Sequence, residues 1–292
     1  MPDDPFDAAF MHKLELLELT CRRLRSGRGA GENVGKGRGG RTEFREHRPY
    51  ATGDDFRYVD WNVFGRTDSF FVKEYAREER RTVAVLLDVS RSMNFGSPSK
   101  LLYAKRLTAA FAYLALAAGD EAVVAVFSDQ VHSSVSVAGQ KGRITEVFRQ
   151  LRAAEPRQRT RIESSLKNFY EALRVRSFVV LISDLMDTDC RAGLAILSAR
   201  GCEPCVMQVL SRDEVDPREI GRLRLRDSET GEQRQLWVEA SELQKYKLIV
   251  NQFIEGWKAF CSKHGIQFAT AFTDVPFDEF VLGHLRHGGI LR

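Results

Sequence analysis

From Arg81 onward, short apolar runs alternate with stretches of a different period. Thr82-Val83-Ala84-Val85-Leu86-Leu87-Asp88 is continuous, rich in β-branched residues, and ends on an acid. A strand buried on both faces of a parallel sheet reads this way. Similar runs recur at Glu121 to Phe127, Ser177 to Ile182, Cys205 to Leu210 and Gln267 to Phe272. Between them lie helical patterns over Leu101 to Ala118, about Thr160 to Val175, Arg191 to Ala199 and Ala240 to Lys263. In the last of these, Leu243, Tyr246, Val250, Phe253, Ile254, Trp257 and Phe260 form one stripe. The alternation predicts an α/β fold: an open, mainly parallel, doubly wound sheet with flanking helices. Val131 to Val137 alternates in polarity after a Ser128-Asp129-Gln130 turn, so it is expected as an antiparallel edge strand. Leu223 to Asp227 and Gln233 to Val238 flank a polar turn and predict a β-hairpin insertion near 221–238.

Upstream of Arg81 the pattern changes twice. Phe6, Phe10, Leu14, Leu17 and Cys21 recur three and four residues apart, predicting a helix from about Pro5 to Arg25. Glycine then dominates from Gly27 to Gly40, and Thr42 to Glu79 shows only short alternating pieces. The expected organisation is an N-terminal helix (1–26), a small β-rich, non-helical domain with a basic glycine-rich loop (27–80), and the α/β domain (81–292).

Composition narrows the class. The 292 residues are 43% hydrophobic and 29% charged, which excludes collagen, disulfide miniproteins and long disorder. Five dispersed cysteines point to a reducing compartment. The longest apolar runs, such as Ala109 to Ala118, are too short for a bilayer span, and the first residues are acidic rather than basic. A cytoplasmic protein without a membrane span is expected. The net charge of +4 is a sum over segregated parts. Arg22 to Arg48 holds nine Lys/Arg against three Asp/Glu, and Lys141 to Arg161 seven against two. No nucleic-acid recognition motif accompanies them. They read first as solvated faces or as a docking surface for an acidic partner.

Candidate chemistry sits where the buried runs end. In open α/β sheets, ligands bind outside the carboxyl ends of strands at the reversal of strand order. Asp88-Val89-Ser90-Arg91-Ser92 follows the first run, and Ser183-Asp184 follows the run from Ser177. Between them Thr160 opens a helical pattern, with Glu163 in capping-box position. In an extended loop Asp88, Ser90 and Ser92 turn to one side. Two carboxylates and three hydroxyls make an all-oxygen set suited to Mg²⁺, or to Mn²⁺ or Ca²⁺. The same residues also suit plainer roles, with Asp88 and Ser90 as helix caps and Asp184 as a solvated strand-end acid.

The set Asp88, Ser90, Ser92, Thr160 and Asp184 resembles the metal-ion-dependent adhesion site of von Willebrand factor A domains. Three further segments add to this: Gly40 to Tyr50, Gly53-Asp54-Asp55-Phe56-Arg57-Tyr58-Val59-Asp60-Trp61-Asn62, and Val72-Lys73-Glu74-Tyr75. With them the chain resembles the bacterial and archaeal family called domain of unknown function 58. Asp227 to Glu232 and Thr273 to Phe277 fit as well, so the resemblance runs from about residue 27 to 290. It implies that Ser90, Ser92 and Thr160 contact a metal directly or through water, with Asp88 and Asp184 close by. It implies a coordination position left for a partner's acidic side chain. It also implies a MoxR-type AAA+ ATPase partner and a non-enzymatic role in assembling, maturing or regulating other proteins. Arg157-Gln158-Arg159 departs from the small, glycine-rich approach often found before that threonine.

Rival constellations are weaker. Gly35 to Gly40 matches G-x-G-x-x-G but neither follows a buried strand nor opens a helix. Cys202-Glu203-Pro204-Cys205 leads into a strand, not a helix N-terminus. A Mg²⁺-dependent phosphatase with Asp88 as nucleophile needs a second acid two residues on, where Ser90 stands. The basic loops leave nucleic-acid binding as a third class. Gly53-Asp54-Asp55, Arg57, Asp60 and Trp61 read as architectural: a turn, an ion pair and an aromatic anchor.

Overall fold

A computed structural model describes residues 4–28, 42–77, 80–157, 169, 173, 177–186, 190–226 and 232–286. The chain divides into two compact units, one of residues 28–80 and one of residues 1–27 with 81–292. The first helix, α1 (Ala8–Arg28), belongs almost wholly to the second unit.

The small unit contains an antiparallel pair, β1 (Thr42–Pro49) and β2 (Phe71–Arg77), joined through α2 (Trp61–Thr67). The expectation of a non-helical region is corrected here. Asp60 caps α2, accepting from the amides of Asn62 at 3.0 Å and Val63 at 3.4 Å, and His47 Nε2 lies 2.9 Å from its other oxygen. Asp54 accepts from the Arg48 guanidinium at 2.8 Å and the Ala51 amide at 2.8 Å, while Asp55 pairs with Arg57 at 2.6 Å. These acids are committed to caps and ion pairs. Trp61 is exposed, edge-on to Phe64 and Phe70.

The larger unit is built on a six-stranded sheet. Its strands are β3 (Thr82–Asp88), β4 (Glu121–Phe127), β5 (Val131–Ala138), β6 (Phe178–Ser183), β7 (Glu203–Leu210) and, last in sequence, β10 (Gln267–Phe272). The order is β10-β7-β6-β3-β4-β5, parallel throughout except for β5, which pairs antiparallel to β4 at the edge. Every residue of β3 is buried. Val83, Val85 and Leu87 enter one core, and Ala84 and Leu86 the other. Burial on both faces is why the run is unbroken rather than alternating.

The helices between the strands cover both faces. On one side lie α3 (Lys100–Ala118) and α4 (Ile144–Ala153). On the other lies α5 (Cys190–Ala199). A short turn of helix, α6 (Arg212–Val215), follows β7, and a two-stranded hairpin, β8 (Gly221–Arg226) with β9 (Gln233–Val238), stands apart from the main sheet. After it, α7 (Ala240–Lys263) buries Trp257 and Cys261 against the second face. The terminal helix α8 (Phe277–Arg286) returns to the first. Serine caps α3 at its start, with Ser99 Oγ accepting from the Leu102 amide at 3.2 Å, and Gly119 ends it at φ 91°. By length and composition α3 would span a membrane, but 72% of that segment is buried inside the unit.

The apolar stripe of α1 is part of this core. Phe6 stacks on Phe148 at 4.7 Å and Phe10 lies against Phe277 at 4.9 Å. Glu18, 5% exposed, accepts from the Tyr113 hydroxyl at 3.0 Å and pairs with Lys141 and Arg22. In α4 the spacing of Ile144, Val147, Phe148 and Leu151 is helical, although surrounding arginines mask it in the sequence. The helix expected over about 160–175 lies outside the described residues except Phe169 and Leu173, and so does the glycine-rich loop 29–41.

Because Leu14 is fully buried and Leu16 is half exposed on the same helix, the two should separate cleanly. Leu14→Ala is expected to cost about 2–5 kcal/mol and Leu16→Ala less than about 0.5 kcal/mol in denaturant unfolding. Equal effects would show that α1 is not seated in the core.

Candidate metal centre

Strand order reverses beside β3, which sits between β6 and β4, so the ends of β3 and β6 open the crevice such sheets use for ligands. Asp88 ends β3 and Ser183 ends β6, with Asp184 next in the chain. Asp88 and Asp184 are each 1% exposed, and Ser90 and Ser183 are sealed. The loop after β3 is clamped on both sides. The Val89 amide donates to Phe127 O at 2.9 Å, and the Arg157 amide donates to Val89 O at 2.6 Å. Arg157 also bridges to Ser90, which brings the segment leading toward residue 160 alongside the loop. Thr160 itself lies outside the described residues.

Both aspartates are held by protein donors. Asp88 Oδ1 accepts from the Ser90 amide at 2.8 Å, and Oδ2 from the Ser183 hydroxyl at 2.7 Å. The Ser183 oxygen accepts in turn from the Leu185 amide at 3.0 Å. Leu185 sits at φ 62°, a left-handed conformation costly for a branched residue, and this bend also aims the Met186 amide at Asp184 Oδ1, 3.3 Å away. The other oxygen of Asp184 accepts from Lys100 Nζ at 2.8 Å, and that ammonium also reaches Glu214 Oε1 at 2.5 Å. Lys100, Ser183 and Glu214 are the residues that sequence reasoning did not select. Lys100 did carry a signal, because a cation in the first turn of a helix opposes the macrodipole.

The hydroxyls of Ser90 and Ser92 face each other with their oxygens 3.0 Å apart. Adjacent ligands of an octahedral ion with bonds of about 2.1 Å also stand about 3.0 Å apart. Charge points the same way. Asp88, Asp184 and the partly exposed Glu214 against Lys100 leave a formal two negative charges around a largely buried cluster. The donor set would fit a hard divalent cation, which Ser90 and Ser92 would hold directly with the two aspartates one step behind. Arg91 and Arg157 are exposed on the same loops, and Phe95 and Met186 are about half exposed.

Cys205 lies buried in β7, where burial and then Cys261 push its thiol well up; burial also raises Cys202. Cys202, Cys205 and Cys261 are free thiols.

Burial, then the neighbouring Asp184, raises Asp88 from 3.8 to about 7, against the opposing hydrogen bonds from Ser183 and Ser90. Between those values the folded chain keeps a proton that the unfolded chain has lost, so metal-free stability falls as pH rises from about 4 to about 7. Melts in EDTA should show a lower Tm at about pH 8 than at about pH 5.5, with Asp88→Asn removing most of the difference. An undiminished difference in the variant would contradict the assignment.

Uncharacterized protein Rv1480 of Mycobacterium tuberculosis and uncharacterized protein Mb1516 of Mycobacterium bovis are each 27% identical over 236 residues, 78% of this chain and 73% of theirs. Among solved structures, the chain is similar to BatB of Bacteroides thetaiotaomicron at TM-score 0.44 and 13% identity, covering 71% of this chain and 98% of that one. It is similar to an aerotolerance-related membrane protein of Bacteroides fragilis at TM-score 0.45 and 17% identity, covering 71% and 97%. For the VWA domain of SpRpn10 the values are TM-score 0.41 and 10% identity, covering 70% and 95%. Residues 46–247 match a family whose range takes in Asp88, Lys100, Asp184 and Glu214. The chain belongs to that family, Protein of unknown function DUF58.

Proposed function

We propose that this protein is a non-enzymatic, divalent-metal-dependent interaction module that recognises an acidic side chain on a protein partner. The observation that carries the reading is the pair of hydroxyls, Ser90 and Ser92, 3.0 Å apart over two sealed aspartates. Ser90 and Ser92 hold the ion, with Thr160 as the third hydroxyl, and Asp88 and Asp184 orient the site through their hydrogen bonds. The bound ion, Mg²⁺ or alternatively Mn²⁺ or Ca²⁺, supplies a Lewis-acidic position for a carboxylate. Because the aspartates are already occupied by protein donors, little of the ion's charge is quenched by direct contact, which leaves it attractive to an external acid. Arg91 and Arg157 add positive charge on the approach, and Phe95 and Met186 offer apolar contact beside it. The family resemblance supplies the partner class, a MoxR-type AAA+ ATPase, whose cycle would then be coupled to client proteins in assembly, maturation or regulation. The cytoplasm is the compartment proposed.

Two observations favour this over the rivals. Asp88 is 1% exposed with both oxygens engaged, a poor posture for a nucleophile. In the basic stretch from Lys141, three cations are spent inside the chain: Lys141 on Glu18, Arg143 on Glu146 and Arg152 on Asp4.

Mn²⁺ binding to the purified full chain, followed by electron paramagnetic resonance, is expected to weaken about 10- to 100-fold in Asp88→Ala. Capture of the MoxR-type ATPase from the same genome should require Mg²⁺ and be lost in EDTA and in Ser90→Ala. Capture that survives EDTA and collapses only with salt would favour simple charge attraction instead.

A further inference from the structure

Lys100 is 0% exposed, yet it opens the long apolar helix α3 and carries a charge. Burial and the helix dipole both oppose that charge. Two carboxylates from two different strand-end loops outweigh them: Asp184 after β6 at 2.8 Å and Glu214 after β7 at 2.5 Å. Glu214 is itself held in place, because its other oxygen accepts from the Ser211 amide at 3.0 Å in a capping box. The loop before α3 closes against the same residue. At Gly96, φ 93°, an added Cβ would lie 2.8 Å from Ser211 Oγ. Three loops thus converge on one ammonium group.

We infer that Lys100 and Glu214, neither of them a candidate ligand, set the resident charge of the metal centre and so its preference for a divalent ion. The inference rests on the metal reading above. Three carboxylates against one ammonium leave two formal negative charges, which a divalent ion neutralises. Removing the ammonium would leave three and favour a trivalent ion. Removing the Glu214 charge would leave one and disfavour it. Lys100 acts through Asp184 and is a positioning residue.

The test compares Mn²⁺ with Tb³⁺ on the full chain, the first by electron paramagnetic resonance and the second by sensitised luminescence. The readout is the ratio of the two dissociation constants, Kd for Mn²⁺ over Kd for Tb³⁺. Lys100→Met should raise that ratio at least about tenfold, and Glu214→Gln should lower it at least about tenfold. The double variant should return it to within about threefold of the original. A purely structural role would weaken both ions together and leave the ratio unchanged. Should Lys100→Met fail to fold by circular dichroism, Glu214→Gln and the double variant still decide, since Glu214 is at the partly exposed edge of the cluster. Folded variants that leave the ratio unmoved, or move it in one direction, overturn the inference while the metal reading stands. An unaltered chain that binds neither ion overturns both.

Discussion

A carboxylate sealed from water at the end of a buried strand must be neutralised, protonated or hydrogen-bonded, and here two such carboxylates lie side by side. The sheet creates the problem. Central parallel strands are buried on both faces, so whatever follows β3 and β6 begins its course inside the molecule. Asp88 and Asp184 therefore meet where solvent cannot screen them. Ser183 and the amides of Ser90 and Met186 offer dipoles, and Lys100 offers one full charge. Glu214 adds a third carboxylate on the same ammonium, so two negative charges remain in formal terms, and the two serine hydroxyls stand at a separation a divalent ion accepts.

Much of the surrounding structure serves to hold this arrangement. Lys100 is fixed because α3 is packed along nearly its whole length, and α3 is tied to α1 through the Tyr113 hydroxyl on Glu18. The strained left-handed Leu185 makes sense in the same terms, since that bend delivers two amides to Ser183 and Asp184. Gly96 lets the loop before α3 come close enough to Ser211 for Glu214 to reach the same ammonium.

The sheet, and the placement of Asp88, Ser90, Ser92 and Asp184 at its strand ends, were legible in the sequence because each depends on local pattern. A run such as Thr82 to Leu87 has no other stable use, the reversal rule then nominates whatever follows it, and alternation picks out Asp88, Ser90 and Ser92. The edge strand from Val131 announced itself by its change of period. What could not be read was set by distance along the chain. Lys100 meets Asp184 across 84 residues and Glu214 across 114, and Ser183 meets Asp88 across 95. The helix α4 was hidden for another reason: its buried stripe of four residues is interleaved with arginines that made the stretch look like a charged surface. In α2, the cap at Asp60 marks a helix start, but only seven residues follow and no apolar stripe develops.

On the proposed reading, a divalent ion would sit between the hydroxyls of Ser90 and Ser92, next to the buried aspartates. Anomalous diffraction from crystals of the full chain grown with Mn²⁺ tests it most directly. A single strong peak is expected within about 2.3 Å of both hydroxyl oxygens, with neither aspartate closer than the water that bridges to it. A site empty at saturating Mn²⁺, with Lys100 still seated on Asp184 and the serines still bonded to each other, would contradict it.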